Sequence, residues 1–128
     1  MIKVYAASRA SIPERPAMWL DLRSRGANIL SSWIDESGEG ETKCFTELWN
    51  RIEGEIREAD RLVLYVQPED FPLKGALVEV GMALAMSKPV WIVAPGVNMH
   101  PRDMKPIGSW AKHPSVQFTD DIDKAVGI

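Results

Sequence analysis

The chain is poor in cysteine and histidine, with Cys44 as its only cysteine and His100 and His113 as its only histidines. A lone cysteine cannot form a disulfide within the chain, so a reducing compartment is the simpler expectation. These three residues do not form a metal-ligand cluster at a recognisable spacing. We therefore predict no metal site.

An excess of positive charge and a long apolar run are also missing. The 15 Lys and Arg against 18 Asp and Glu give a net charge of −3, and the two signs are mixed without a basic stripe. Duplex nucleic acid is therefore not an expected partner. No apolar run approaches a membrane span, and the stretch before Ser8-Arg9 is too short for the apolar region of a signal peptide. We predict a soluble, cytoplasmic protein without a membrane partner.

The 128 residues suit one domain, residues 1–128, in which apolar runs alternate with helical patterns. Strands are predicted over residues 2–7, 27–34, 61–67, 89–94 and 115–118. Helices are predicted over residues 15–25, 44–59, 74–87, 107–112 and 119–126, the last with Thr119 as its N-cap, and residues 35–41 form a polar loop.

This order predicts an α/β three-layer sandwich with a mostly parallel five-stranded sheet, flavodoxin-like or Rossmann-like. In such folds ligands bind beyond the carboxyl ends of the strands, at the point where the strand order reverses. We therefore expect the functional site at the loops that follow strands one and three.

Glu79 lies in a small and apolar helical stretch that follows strand three. The neighbours three and four positions away are Gly75, Ala76, Met82 and Ala83, so no ion-pair partner stands on its own helix. An unpaired carboxylate among such side chains costs desolvation energy, which favours a position facing a cleft. Near the positive end of the helix dipole it is expected to be ionised at neutral pH, as a nucleophile. The alternative is a solvated surface glutamate on an amphipathic helix.

Four motifs together resemble the nucleoside 2-deoxyribosyltransferase superfamily, which includes the 2'-deoxynucleoside 5'-phosphate N-hydrolases. They are Tyr5 in strand one, Ala59-Asp60 before strand three, residues 75–83 (GALVEVGMA), and Lys88-Pro89-Val90. The resemblance covers roughly residues 1–94, and its specific part is the Gly-x-x-x-Glu-x-Gly-x-Ala core. It implies that Glu79 attacks the anomeric carbon of a deoxyribonucleoside and expels the base. The resulting glycosyl-enzyme ester is resolved by a second base or by water.

The resemblance also implies a helper acid from the loop after strand three, where Asp70 is preferred over Glu69. Residues 67–75 differ from the shorter Asp-x-Gly-Thr loop of the transferases. Both transfer and hydrolysis therefore stay open. Ser8 and Arg9 occupy the place where the N-hydrolases hold a 5'-phosphate, and a guanidinium with a hydroxyl suits that anion. The other reading of Arg9 is a solvated surface charge.

Five further residues are assigned to substrate binding. Trp33 and Asp35, placed at the end of strand two, would face the same crevice, although an indole there could equally be core. Tyr5 lines the pocket floor or packs beneath it, and Gly75 begins the nucleophile's helix. Asn98 would enter a neighbouring subunit's site, since the family assembles its sites across dimer interfaces. A homodimer or higher homo-oligomer is implied.

The leading interpretation is a cofactor-free enzyme that cleaves or exchanges the N-glycosidic bond of a deoxynucleoside or its 5'-monophosphate. Two alternatives remain open at this point. One is an NAD-cleaving hydrolase of the TIR-like type, which also uses a glutamate at a ribosyl carbon. The other is a module that binds a nucleotide on the same scaffold without turnover.

Overall fold

The computed structural model describes residues 1–36 and 42–128, so that residues 37–41 of the predicted acidic loop lie outside the description. In this part of the chain the strands are β1 (Lys3–Ala7), β2 (Asn28–Ile29), β3 (Arg61–Tyr65), β4 (Val90–Val93) and β5 (Val116–Phe118). The α-helices are α1 (Glu14–Ser24), α2 (Phe45–Glu58), α3 (Gly75–Ala85) and α4 (Ile122–Val126). Short 3₁₀ turns cover Ser32–Asp35, Pro68–Asp70 and Ser109–Lys112.

The strands of the described chain form one sheet in the order β2-β1-β3-β4-β5, and every pair in it is parallel. Leu62, Val63 and Leu64 in the central strand β3 are fully buried, as expected for a strand covered by helices on both faces. The predicted α/β fold with a parallel five-stranded sheet is confirmed. The strand order reverses between β1 and β3, so the loops after these two strands border the same crevice.

The second strand is much shorter than the predicted residues 27–34. Its last backbone bond to β1 runs from the Leu30 amide to the Val4 carbonyl, after which the Ser31 hydroxyl accepts from the Ala6 amide at 2.7 Å. The chain then turns, and the Trp33 indole donates to the Ala6 carbonyl at 2.8 Å. Side chains therefore take over the bonds of the β1 edge that a longer strand would have made.

The last helix begins later than predicted, and Thr119 is not its N-cap. The Thr119 amide still bonds the Ile92 carbonyl of β4, so that residue extends the pairing of β5. Asp121 is the N-cap, and its carboxylate accepts from the amides of Asp123 and Lys124. No helix within residues 1–36 and 42–128 is long and apolar enough to span a bilayer.

Candidate active site

A cavity of about 410 Å³ opens at the carboxyl ends of β1 and β3, where the sheet order reverses. Four segments enclose it: the loop after β1, the 3₁₀ turn that contains Trp33, the first half of α2, and the segment from Leu73 into the start of α3. Its lining consists of Ser8, Arg9, Ala10, Ser11, Trp33, Phe45, Leu48, Trp49, Ile52, Leu73, Lys74, Gly75, Ala76 and Glu79. The cavity is therefore at the place that the strand order of an α/β sheet predicts for a ligand.

Glu79 faces this cavity from α3 and is 7% exposed, so the alternative of a solvated surface glutamate is wrong. The hydroxyl of Tyr5, which is fully buried in β1, donates to its Oε1 atom at 2.5 Å. Among residues 1–36 and 42–128, no lysine or arginine forms an ion pair with Glu79. The carboxylate is thus buried, oriented by one neutral donor, and without a counter-ion in the described structure.

Burial raises the pKa of Glu79 from 4.5 to about 7, because the low-dielectric surroundings disfavour the charged form. The hydrogen bond from Tyr5 lowers this pKa, and the nearby negative charge of Glu55 raises it. At neutral pH the carboxylate is therefore only partly ionised, contrary to the expectation of an ionised group, because desolvation outweighs the hydrogen bond from Tyr5 that favours the anion. Burial and the Glu79 charge also raise the pKa of Tyr5 well above its ordinary value, so its phenol stays a neutral donor.

Gly75 marks the point where α3 meets α2. A Cβ atom at this position would lie 3.7 Å from Oε2 of Glu79 and 3.7 Å from Cζ2 of the Trp49 indole. The carboxylate oxygen that does not bond Tyr5 and the edge of the Trp49 ring therefore approach the same small space. A glycine at this position leaves that space to the cavity.

Asp70, the predicted helper acid, is not brought to the cavity. Its side chain is fully buried and accepts two bonds from Arg15, from Nη2 at 2.8 Å and from Nε at 3.0 Å. The Gln67 amide donates to the same carboxylate at 2.8 Å. Arg15 is itself buried, with its guanidinium 5.4 Å from the centre of the Tyr65 ring. This geometry is that of an anchor for the loop after β3, in which the Arg15 guanidinium is fully engaged by its partners.

Three other predicted residues also lie outside the cavity lining. Glu69 is exposed and pairs with Arg15 at 3.2 Å. Asp35 belongs to the 3₁₀ turn and pairs with Arg23 at 3.1 Å, so it does not face the crevice as expected. Asn98 is exposed in the loop after β4. The structure thus separates these polar groups from Glu79.

Ser8 and Arg9 do line the cavity, as predicted. The buried Ser8 hydroxyl accepts from the Trp19 indole at 2.8 Å. The Arg9 Nη1 group donates to the carbonyls of Asp70 and Pro72 at 3.1 and 3.0 Å, and thereby ties the loop after β1 to the loop after β3. With Lys74, Arg9 provides positive charge at the cavity, which suits an anionic group.

One wall of the cavity was missed from the sequence. The residues at positions 45, 48, 49 and 52 recur with the spacing of a helix face and all line the cavity. Trp33 also lines it, as expected, but it is only 6% exposed. Trp49, which the sequence analysis did not assign to the site, is half-buried at the cavity. The apolar spacing was a usable signal, although it does not distinguish a pocket wall from core.

No cluster of three or more His, Cys, Asp or Glu side chains suited to a metal ion occurs in the described part of the chain. The chemistry available at the cavity is that of one carboxylate, one phenol behind it, hydroxyls and two cationic side chains. A carboxylate of this kind can act as a nucleophile or as a base.

Solved structures that share this fold include three that cover nearly the whole of this chain. The 2-deoxyribosyltransferase of Bacillus psychrosaccharolyticus has a TM-score of 0.70 at 18% identity, covering 98% of this chain and 91% of its own. The 2-deoxyribosyltransferase of Leishmania mexicana has a TM-score of 0.63 at 16% identity, covering 98% and 94%. The CMP N-glycosidase of Clostridium botulinum has a TM-score of 0.52 at 16% identity, covering 97% and 95%.

No protein-family model matches the sequence, and no curated protein matches it in a sequence search. These structural neighbours are two 2-deoxyribosyltransferases and a CMP N-glycosidase. At these identities the likeness is one of fold. It confirms the predicted architecture over nearly the whole chain.

Proposed function

We propose that this protein cleaves or transfers the N-glycosidic bond of a 2'-deoxynucleoside or its 5'-monophosphate, with Glu79 as the nucleophile. The observation that carries the proposal is the buried Glu79 carboxylate, unpaired by any cation of the described chain and facing a cavity at the sheet's reversal point. The fold shared with two deoxyribosyltransferases and a CMP N-glycosidase supports the same chemistry.

In the proposed reaction, Oε2 of Glu79 forms a bond to the anomeric carbon as the bond from that carbon to the base nitrogen breaks. The electron pair of the broken bond leaves with the base, and a glycosyl ester of Glu79 remains. Water or a second base then attacks the anomeric carbon and releases the carboxylate. Tyr5 holds Oε1, so Oε2 is the oxygen directed to the space beside Gly75.

The leaving base has no carboxylic acid beside it other than Glu79 among the described lining residues. Asp70 is fully buried and bound by Arg15, so it is not the acid that protonates the leaving base in this proposal. In the proposed reaction the base leaves into solvent without protonation by a carboxylic acid of the protein. The acidity of the base is therefore the main determinant of the rate. Instead, we propose that Asp70 holds the loop after β3 in place through its bonds with Arg15.

We also propose that the cavity recognises the 5'-phosphate of a deoxynucleotide. Ser8, Ser11, Arg9 and Lys74 contribute two hydroxyls and two positive charges to the cavity lining. Hydroxyl and guanidinium donors form strong, charge-assisted bonds with phosphate oxygens. A monophosphate is therefore the preferred form of the substrate in this proposal.

The test is incubation with the four deoxynucleosides, their four 5'-monophosphates and NAD, with and without an acceptor base, followed by chromatographic detection of free base. Release of base from a deoxynucleotide supports the proposal, whereas nicotinamide release from NAD alone would support a TIR-like hydrolase. Nucleotide binding without any product would support a binding module. Glu79→Gln should abolish product, and Glu47→Gln, an exposed glutamate of α2 outside the cavity, is the matched control.

We also propose assembly into a homodimer or higher oligomer. The outer face of α3 exposes Leu77 and Val78, which are 39% and 52% accessible, and Leu77 also lines an apolar depression together with Leu84 and Trp110. Exposed apolar surface of this kind is typical of an interface. Sedimentation of the wild type and of Val78→Glu tests this, with a shift to monomer expected for the variant. In this assembly we propose that Asn98 reaches the cavity of a neighbouring subunit. We also propose a cytoplasmic location for the protein.

A further inference from the structure

The wall of the cavity that α2 provides has a uniform chemistry. Phe45, Leu48, Trp49 and Ile52 recur three and four positions apart and form one face of the helix. None of these four side chains carries a carboxylate, amide or hydroxyl, and the only polar atom among them is the indole nitrogen of Trp49. The polar lining groups come from the loop after β1 and the start of α3. We call these four residues the α2 wall.

The α2 wall begins beside the nucleophile and ends at solvent. The Trp49 ring edge and Oε2 of Glu79 both lie within 3.7 Å of the same point above Gly75. Phe45, one helical turn earlier, is 67% exposed although it is the first residue of α2 and lines the cavity. A group attached to a sugar at Glu79 therefore meets Trp49 first and Phe45 farther out.

Trp33 is less suited to contact a base, although it also lines the cavity. Its indole nitrogen is committed to the Ala6 carbonyl at 2.8 Å, and only 6% of the residue is accessible. That bond fixes the ring as a closing surface at the edge of β1. The accessible aromatic faces of the cavity lie on α2.

We propose that the α2 wall is the surface on which the nucleobase stacks, with Trp49 and Phe45 supplying the aromatic contacts that hold it. This inference rests on the proposed function, because it identifies the leaving group of that reaction as the occupant. Every nucleobase has a π-face, and stacking on an aromatic side chain tolerates all of them. A wall with so few hydrogen-bonding atoms does not read the base edge, so purines and pyrimidines should both be accepted.

The experiment measures equilibrium binding by calorimetry in the Glu79→Gln background, where turnover does not interfere. The probes are deoxycytidine and deoxyguanosine 5'-monophosphate, with 2-deoxyribose 5-phosphate as the ligand that lacks a base. Phe45→Ala and Trp49→Ala should each weaken nucleotide binding about tenfold, a typical loss for one stacked base, and leave sugar phosphate binding within about twofold. Trp49→Phe should retain most of the affinity.

Phe118→Ala is the matched control, because Phe118 is an accessible phenylalanine that lines a different depression beside Ala94 and Thr119. It should change neither affinity. Equal losses for nucleotide and sugar phosphate, unchanged nucleotide affinity in both wall variants, or no nucleotide binding at all would overturn the inference.

The outcomes separate this inference from the reaction itself. If the wild type releases base but the wall variants bind nucleotides normally, the reaction stands and the α2 wall fails. If the wild type releases nothing while nucleotide affinity depends on Phe45 and Trp49, the wall stands and the glycosidic chemistry fails.

Discussion

Tyr5 and Glu79, 74 residues apart in the sequence, share a buried hydrogen bond of 2.5 Å between the phenolic hydroxyl and Oε1. Tyr5 lies in β1 and Glu79 in α3, so the bond joins the sheet to the helix that borders the cavity. It lowers the pKa of Glu79 against the larger effect of burial. Its second consequence is orientation, because one carboxylate oxygen is held and the other is directed toward Gly75.

The rate of base release should depend on the ionisation of Glu79. Its pKa of about 7 predicts that kcat/KM rises with pH to a plateau, with a midpoint near that value. Tyr5→Phe removes the bond that lowers the pKa, so the midpoint should move to higher pH. Glu55→Gln removes a negative charge that raises the pKa of Glu79, so the midpoint should move to lower pH. Initial rates from pH 5 to 9 measure both, and shifts of the same sign in the two variants would contradict this account.

The same carboxylate should make the folded state less stable as the pH rises. In the folded protein Glu79 keeps its proton up to about pH 7, whereas the unfolded chain loses it near pH 4.5. Between these values the folded state binds more protons, so the free energy of unfolding falls with rising pH. The shift corresponds to about 3 kcal/mol. Urea unfolding at pH 5 and pH 8 should show Glu79→Gln gaining up to that amount over the wild type, and an equal pH dependence in both proteins would exclude the raised pKa.

Asp70 should matter for stability and not for the pH profile of the reaction. Asp70→Ala removes the buried carboxylate partner of Arg15 and leaves its guanidinium with the exposed Glu69 and the side chain of Gln67, and breaking a buried pair typically costs about 3–5 kcal/mol. The double variant Arg15→Met with Asp70→Leu removes both charges and should recover much of that loss. Urea unfolding checks the stabilities. A lost alkaline limb in the rate profile of a still-folded Asp70→Asn would restore Asp70 as the acid.

The acidity of the leaving base should control the rate of the first chemical step. No carboxylic acid of the described lining other than Glu79 is placed to protonate the base. A series of deoxynucleotides whose bases differ in acidity but not in size should therefore show faster release for the more acidic bases. Single-turnover rates measure this step, and rates independent of leaving-group acidity would indicate a proton donor that this account lacks.

Gly75→Ala should impair the reaction without unfolding the protein. The added methyl would make ordinary contacts of 3.7 Å with Glu79 and Trp49, and Gly75 is the first residue of α3, where alanine is a good helix former. It would occupy the space in which the anomeric carbon is expected. We expect kcat/KM to fall at least about tenfold, the cost of about 1.4 kcal/mol in the barrier, with an unchanged melting temperature. Gly54→Ala, where a Cβ meets no atom within 4 Å, is the control.

The sheet could be predicted from the sequence because its signals are local. The continuous apolar run centred on residues 62–66 indicated a buried central strand, and the alternation of runs and helical patterns gave the parallel arrangement. The second strand was predicted too long because a hydroxyl and an indole, Ser31 and Trp33, replace backbone pairing. Side-chain hydrogen bonds that replace backbone pairing leave no periodic signal in the sequence.

The position of Glu79 in a cavity could be inferred from the sequence, because an isolated acid in an apolar stretch is conspicuous. The hydrogen-bond partners of the two acids could not be inferred in this way. Tyr5 is 74 residues from Glu79 and Arg15 is 55 residues from Asp70, and pairing over such separations is fixed by tertiary packing. The pKa of Glu79 could not be predicted either, since it depends on how completely the surrounding chain excludes water.

The contact of Arg9 with the carbonyls of Asp70 and Pro72 has a consequence for mutagenesis of this segment. Every residue carries a backbone carbonyl, so the tether depends on the path of the backbone and on Arg9 but not on the side chains at positions 70 and 72. A change at position 70 is nevertheless costly, because it removes the carboxylate that Arg15 binds. A change of Arg9 releases both carbonyls at once and so separates the loop after β1 from the loop after β3.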